Sequence, residues 1–387
     1  MKVFVKGFWA SNLGDDLFLY ILCRRFPNIS FEINVKEKYR DTLPTLPNLM
    51  ISEEIVYKRA IFYDKVKELC NYLCSTFIGN KTTVFTIKGK VFIANKPNIF
   101  IEIGGSIFML KSDENVRKNI EYLIRMKMVE IVDGYYVIGS NFGPYYDNKQ
   151  LTEYRNFFKR TTDTCFRDSY SRNLFPELEN VREAADIILS GDFTNFENQE
   201  KEHILISVVD LEKKGDPGLD ISYENVKTYE KQIVYYIKEF VSKKEKVILF
   251  SFCDNQGDVD LSKRIFDKLD EESKKNVKIL SYKNIDTSIE VIKKSKKIIA
   301  TRFHAMILGW LFQIPTYAVS YSQKTENVIR SSYPNQNFCK YSDISQIDFN
   351  ELSNSFCKID DETLNKLINY SSKQFQKLDQ IFGDTNG

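Results

Sequence analysis

The chain has 387 residues, enough for two domains of ordinary size. Hydrophobic residues at 43% and charged residues at 28% exclude a disordered or fibrous protein. Lys and Arg number 55 against 53 Asp and Glu, a net charge of +2, so no global field draws the chain to nucleic acid.

The first apolar run, residues 2–6, reads as a strand leading into Gly7. It lacks the apolar core and cleavage site of a signal peptide. The longest apolar stretch, 305–312, is far too short to span a membrane, so a cytoplasmic protein is expected. Further strands are predicted at 29–35, 99–103, 135–138, 164–167 and 185–189, then at 204–209, 247–252, 277–281, 297–301 and 316–320. Between them, 15–26, 115–129, 223–243 and 261–272 carry apolar residues at helical spacing. Apolar strands alternating with helices predict an α/β fold of two Rossmann-like, doubly wound parallel-sheet domains facing a cleft. The polar stretch 192–203, which includes His203 in a solvent-facing position, separates domain 1–195 from domain 196–342. A helical tail follows at 343–387. The seven cysteines (23, 70, 74, 165, 253, 339, 357) read as reduced, mostly buried thiols. Cys70 and Cys74 have helical spacing, but no second cluster completes a zinc site.

Doubly wound domains bind ligands just past the carboxyl ends of their strands, so residues at those positions carry the functional information. After the first strand, Asn12-Leu13-Gly14-Asp15-Asp16 opens a helix, where Asp15 either stabilises the helix start or faces substrate. Gly104-Gly105-Ser106 and the segment 139–144, with Asn141, are glycine-containing turns. Neither is a dinucleotide fingerprint or a phosphate loop. Phe166-Arg167-Asp168-Ser169 puts an Arg and an Asp at a strand end, as a surface ion pair and cap or as part of a site. The sharpest signal is Thr301-Arg302-Phe303-His304-Ala305, a buried strand ending in Arg-x-His before an apolar helix, with Lys324 after the next strand. Arg302, Lys324 and Arg167 suit an anion pocket, and His304 is suited to exchanging a proton near neutral pH. There is no glycosidase-type carboxylate pair and no nucleophile elbow. No metal is expected, because adjacent Asp15 and Asp16 diverge by about 100° on a helix.

In their order along the chain, these segments, with Ala184-Ala185-Asp186 and Ile206-Ser207-Val208, resemble the polysaccharide pyruvyl transferase family from about residue 3 to 330. The resemblance implies two domains in the GT-B manner, with the acceptor glycan on the 1–195 side and the donor on the 196–342 side. It implies transfer of a pyruvyl group from phosphoenolpyruvate to a sugar of a cell-surface polysaccharide, or of its polyprenyl-diphosphate-linked precursor, forming a pyruvate ketal without a cofactor. His304 would then donate the proton, and Asp168 or Asp15 would accept one. Arg302, Arg167 and Lys324 would hold the donor, and Asn12 and Asn141 the acceptor. One departure is clear: an Arg often follows the Ser-Val strand in the family, and Val209 and Asp210 stand there in this chain. Lipid-linked substrates would place the enzyme at the inner face of the membrane, with lysine-rich helices as a peripheral contact patch. The alternative reading is a GT-B nucleotide-sugar glycosyltransferase, with the cations on a diphosphate and His304 as base. A non-enzymatic alternative is a glycan- or anion-binding module.

Overall fold

The computed structural model describes residues 1–53, 82–87, 90–196, 200–217 and 222–383. Its N-terminal sheet is built from β1 (Val3–Lys6), β2 (Phe31–Val35), β3 (Leu49–Glu53), β6 (Ile99–Ile103), β7 (Gly134–Ser140), β8 (Asp163–Phe166) and β9 (Val181–Glu183). The order is β3-β2-β1-β6-β7-β8-β9, all parallel. A separate antiparallel pair, β4 (Thr83–Ile87) and β5 (Lys90–Ala94), lies between β3 and β6 in sequence. The C-terminal sheet contains β10 (His203–Ser207), β11 (Lys246–Ser251), β12 (Val277–Ser281), β13 (Ser295–Ala300), β14 (Thr316–Ser320) and β15 (Phe338–Lys340). It runs β12-β11-β10-β13-β14-β15, again all parallel. The strands read as near-continuous apolar runs because both sheet faces are covered; every residue of β6 and β14 is buried. Strand order reverses between β1 and β6, and again between β10 and β13. These two switch points are where doubly wound sheets open a crevice.

The predicted helix 115–129 starts only at Ile120, after the 3-10 turn Val116–Lys118, and two further elements differ. Residues 185–189 are not a strand: β9 ends at Glu183, and Asp186 caps a 3-10 turn, Ile187–Ser190, by accepting from the Ile188 amide at 3.0 Å. An apolar run this short is buried equally well as a turn. The predicted helix 261–272 is two helices, Asp258–Asp267 and Glu271–Lys275, because Asp270 caps the second through the Ser273 amide. His203 is not solvent-facing either; it begins β10, buried, beside the Ser295 hydroxyl at 3.3 Å. Cys23, Cys165, Cys253 and Cys339 are buried free thiols, while Cys70 and Cys74 lie outside the described residues.

One of three buried apolar clusters spans both halves. Leu17, Phe18 and Ile21, from α1 (Leu13–Arg25), belong to the same buried cluster as Ile289, Met306 and Trp310 of the C-terminal half. A backbone bond from Leu13 N–H to the Phe252 carbonyl (3.1 Å) and the Tyr282 hydroxyl beside Asp16 (2.7 Å) tie them further. The tail crosses back to the N-terminal sheet, where the Ser371 hydroxyl donates to the Asp186 carbonyl at 2.6 Å.

Candidate functional site

Both switch points open onto one cleft of about 730 Å³. The residues after β1, β6, β10 and β13 line it together, which is why strand-end positions were the informative ones. Two helices start at its floor. Asn12 caps α1 by accepting from the Gly14 amide (3.1 Å), and Arg302 stands at the cap of α5 (Phe303–Leu311; α2 is Ser169–Asn173, α3 Leu211–Lys214 and α4 Asp258–Asp267). The two helices approach so closely that a Cβ on Gly14 would lie 1.6 Å from the His304 Nδ1. Glycine there is a requirement of the approach. Gly105 plays the same part beneath Arg167, whose Nη2 would be 2.7 Å from a Cβ.

Four cations gather around His304 in the cleft. Arg302 is gripped by Asp258 through its Nε (2.8 Å) and Nη2, and its Nη1 donates to Gln256. Arg167 lies over the Phe303 ring at 4.1 Å, donates to Asp186 (3.0 Å) and Asn141 (2.9 Å), and has Nη1 3.5 Å from the His304 Nε2. Lys324, at the start of α6 (Gln323–Ser332), donates across the cleft to the Ser106 hydroxyl at 2.9 Å. Lys214 pairs with Asp216 at 3.1 Å and donates to Gln256 at 3.1 Å. Sequence reading missed Lys214. It ends a short helix five residues beyond Val209, so this chain still brings a cation from the β10 side to the cleft. The only hint was its place shortly after a strand end, hidden among many lysines.

Burial and these charges set the protonation states. His304 is pushed well below the usual histidine range, first by burial and then by Arg167, Lys324, Arg302 and Lys214. Asp15, lining the cleft, is raised to about 6 by burial, with Arg167, Lys214, Lys324 and Arg302 partly offsetting that. Burial lowers the Lys324 ammonium. Asp16 points the other way, wholly buried against Tyr282, and burial lifts its carboxyl far above the carboxylate range.

Of the remaining predicted residues, Asn141 touches this group through Arg167, and Asp168 stands apart from it. Asp168 caps α2, accepting from the Ser171 amide (2.8 Å) and hydroxyl (3.0 Å). It lines an adjoining chamber, away from His304, and Asn141 lines that chamber too. Asn12, Asp15, Arg167, Arg302, His304 and Lys324 share the main cleft.

Two facing parallel-sheet domains around a crevice define the GT-B-like class, and solved structures agree. The UDP-GlcNAc 2-epimerase from Neisseria meningitidis matches with a TM-score of 0.57 at 10% identity, over 98% of this chain and 99% of that one. The UDP-GlcNAc 2-epimerase from Methanocaldococcus jannaschii scores 0.51 at 12% identity, over 98% and 99%. A glycosyltransferase from Rickettsia africae scores 0.51 at 10%, over 99% and 97%. At such identity the likeness concerns the fold. No curated protein matches closely enough to count as a relative. The family model for polysaccharide pyruvyl transferase matches residues 12–323, and the chain belongs to that family, whose members are transferases acting on polysaccharide. Among the described residues, no helix is long and apolar enough to cross a membrane.

Proposed function

We propose that the protein transfers the pyruvyl group of phosphoenolpyruvate to a glycan, forming a pyruvate ketal and releasing phosphate. The observation that carries this reading is the convergence of Arg167, Lys214, Arg302 and Lys324 around His304 at the paired switch points. A small donor with both a phosphate and a carboxylate needs several cations at close quarters. Three of the four are oriented by their own acids, Asp186, Asp216 and Asp258, so their side chains are positioned before the donor arrives. Lys324 has no acid nearer than Asp216 at 4.0 Å among the described residues, and it is the cation freest to meet the donor phosphate.

Ketal formation begins with a proton delivered to the vinyl methylene carbon. The central carbon becomes oxocarbenium-like, a sugar hydroxyl adds to it, phosphate leaves, and a second hydroxyl closes the ring, its proton ending on the departing phosphate. His304 supplies the proton. In the free cleft its imidazole is neutral, so the donor's own negative charge must raise its basicity before it can act. Asp15, raised to about 6 in the free cleft, is ionised there at neutral pH and takes the proton of the attacking hydroxyl. Asp168, with both oxygens engaged at its helix cap, is not needed for this. Asn12 and Asn141 face the acceptor.

Thermal melting tests the donor assignment. Millimolar phosphoenolpyruvate raises the melting temperature, and Lys324→Ala and Lys214→Ala each weaken the shift at least tenfold in ligand concentration. Arg302→Ala is a harsher probe because it leaves Asp258 buried and unpaired. Equal stabilisation by UDP or by UDP-sugars, with none from phosphoenolpyruvate, contradicts the assignment.

A further inference from the structure

A second chamber of about 240 Å³ opens off the main cleft where Met109, Asp216 and Lys324 line both. Its walls come from the turn after β7, the start of α2 and the start of α6. The donor chemistry leaves it unused: beyond Lys324 at its mouth, an anion would meet aromatic rings and the Asp168 carboxylate. Its walls suit a different ligand. Tyr170, 45% exposed, and Tyr145 offer ring surface, with Pro144 beside them. Gln323 and Asn327 supply amides, hydrogen-bonded to each other at 3.1 Å. The Ser322 hydroxyl is buried with no partner among the described residues. Ring faces for a C–H surface, with amides at the edge and an unpartnered hydroxyl in the wall, match a neutral sugar.

We infer that this chamber holds the sugar ring of the acceptor glycan that neighbours the one being pyruvylated. The inference rests on the acceptor reading given above and says where the glycan extends. Its position fits that role, since the shared mouth puts an occupant next to Lys324 without displacing the donor.

Saturation-transfer NMR with the methyl glycosides of glucose, galactose, mannose and N-acetylglucosamine tests it on the full chain. At least one glycoside is expected to receive saturation that persists with phosphoenolpyruvate present. The signal should fall about threefold or more in Tyr170→Ala and in Asn327→Trp, which fills the chamber. The two variants sit on different elements, so one remains informative if melting shows that the other has not folded. No transfer to any glycoside, equal transfer in folded variants, displacement by phosphoenolpyruvate, or transfer to uridine instead of sugar would each overturn the inference. The measurement needs no turnover, so failure of the pyruvyl-transfer reading, seen as absent phosphate release, is separately recognisable.

Discussion

His304 is buried among four cations that disfavour its protonated form, and in the proposed reaction that couples donor binding to protonation. A donor carrying phosphate and carboxylate offsets the four cations and raises the imidazole's affinity for a proton. Calorimetry near pH 7 in buffers of different ionisation enthalpy should therefore show net proton uptake on binding phosphoenolpyruvate, reduced in His304→Asn. Unchanged uptake in that variant would move the proton to Asp15. The sign for turnover follows: kcat falls as pH rises through the raised histidine value of the complex. Asp15 has a second consequence. Its folded-state value of about 6 exceeds the ordinary 3.8, so the fold favours the protonated form, and stability declines between those values as pH rises. Asp15→Asn should stabilise the protein at pH 7–8 by up to about 3 kcal/mol, with the gain vanishing toward pH 4, while turnover is lost. A destabilised Asp15→Asn at pH 8 would show that the carboxylate is needed structurally. Asp15 faces the cleft and Asp16 faces Tyr282, so the pair does not chelate, and activity should survive a strong chelator. Loss in chelator with recovery on adding magnesium would contradict this. Arg302 and His304 were legible in sequence because both follow one buried strand. The ion pairs that orient Arg167 and Arg302 were not, since Asp186 is 19 positions from Arg167 and Asp258 is 44 from Arg302.

Among the elements, α1 and α5 set the site by starting at the same point, with Gly14 as the contact. Gly14→Ala adds one methyl group in a helix, which by propensity alone would be mildly favourable. Placed against the imidazole, it should instead lower kcat about a hundredfold by displacing His304, with far-UV circular dichroism unchanged. Wild-type turnover in that variant would show that α1 can recede and that the approach is not required. The strand-to-helix turns were readable because apolar strands ending in glycine or polar residues have a distinct pattern. The Ile187–Ser190 turn was not. Its apolar side chains are buried like a strand's, and its course is fixed by contacts from distant segments: Arg167 on the Asp186 side chain and Ser371 on its carbonyl. Short edge strands such as β3 and β15 were also unread, because a few residues pairing on one side leave little periodicity.

Across the whole molecule, the tail stabilises the N-terminal domain, reaching back 190 positions from Gln374 to Ala184. Gln374 is fully buried, accepts from the Gly139 amide at 2.9 Å, and donates toward the Phe166, Ala184 and Ala185 carbonyls at 3.3, 3.1 and 3.1 Å. These are the strand ends that present Arg167 and Asp186. Gln374→Leu strands those backbone groups and should cost on the order of 3 kcal/mol in denaturant unfolding. A change within about 0.5 kcal/mol would mean that the tail's side chain is dispensable. The two-domain architecture was legible from alternation alone, but the return of the tail was not, since nothing local in a helix says which sheet it covers. The chemistry proposed for the cleft those parts assemble is tested most directly by incubating the protein with phosphoenolpyruvate and a panel of surface-glycan oligosaccharides, then measuring product mass and free phosphate together. One acceptor should gain the mass of pyruvic acid less water, with one phosphate released per product and both signals lost in His304→Asn. Transfer of a hexose from a nucleotide sugar, with phosphoenolpyruvate left intact, would contradict it.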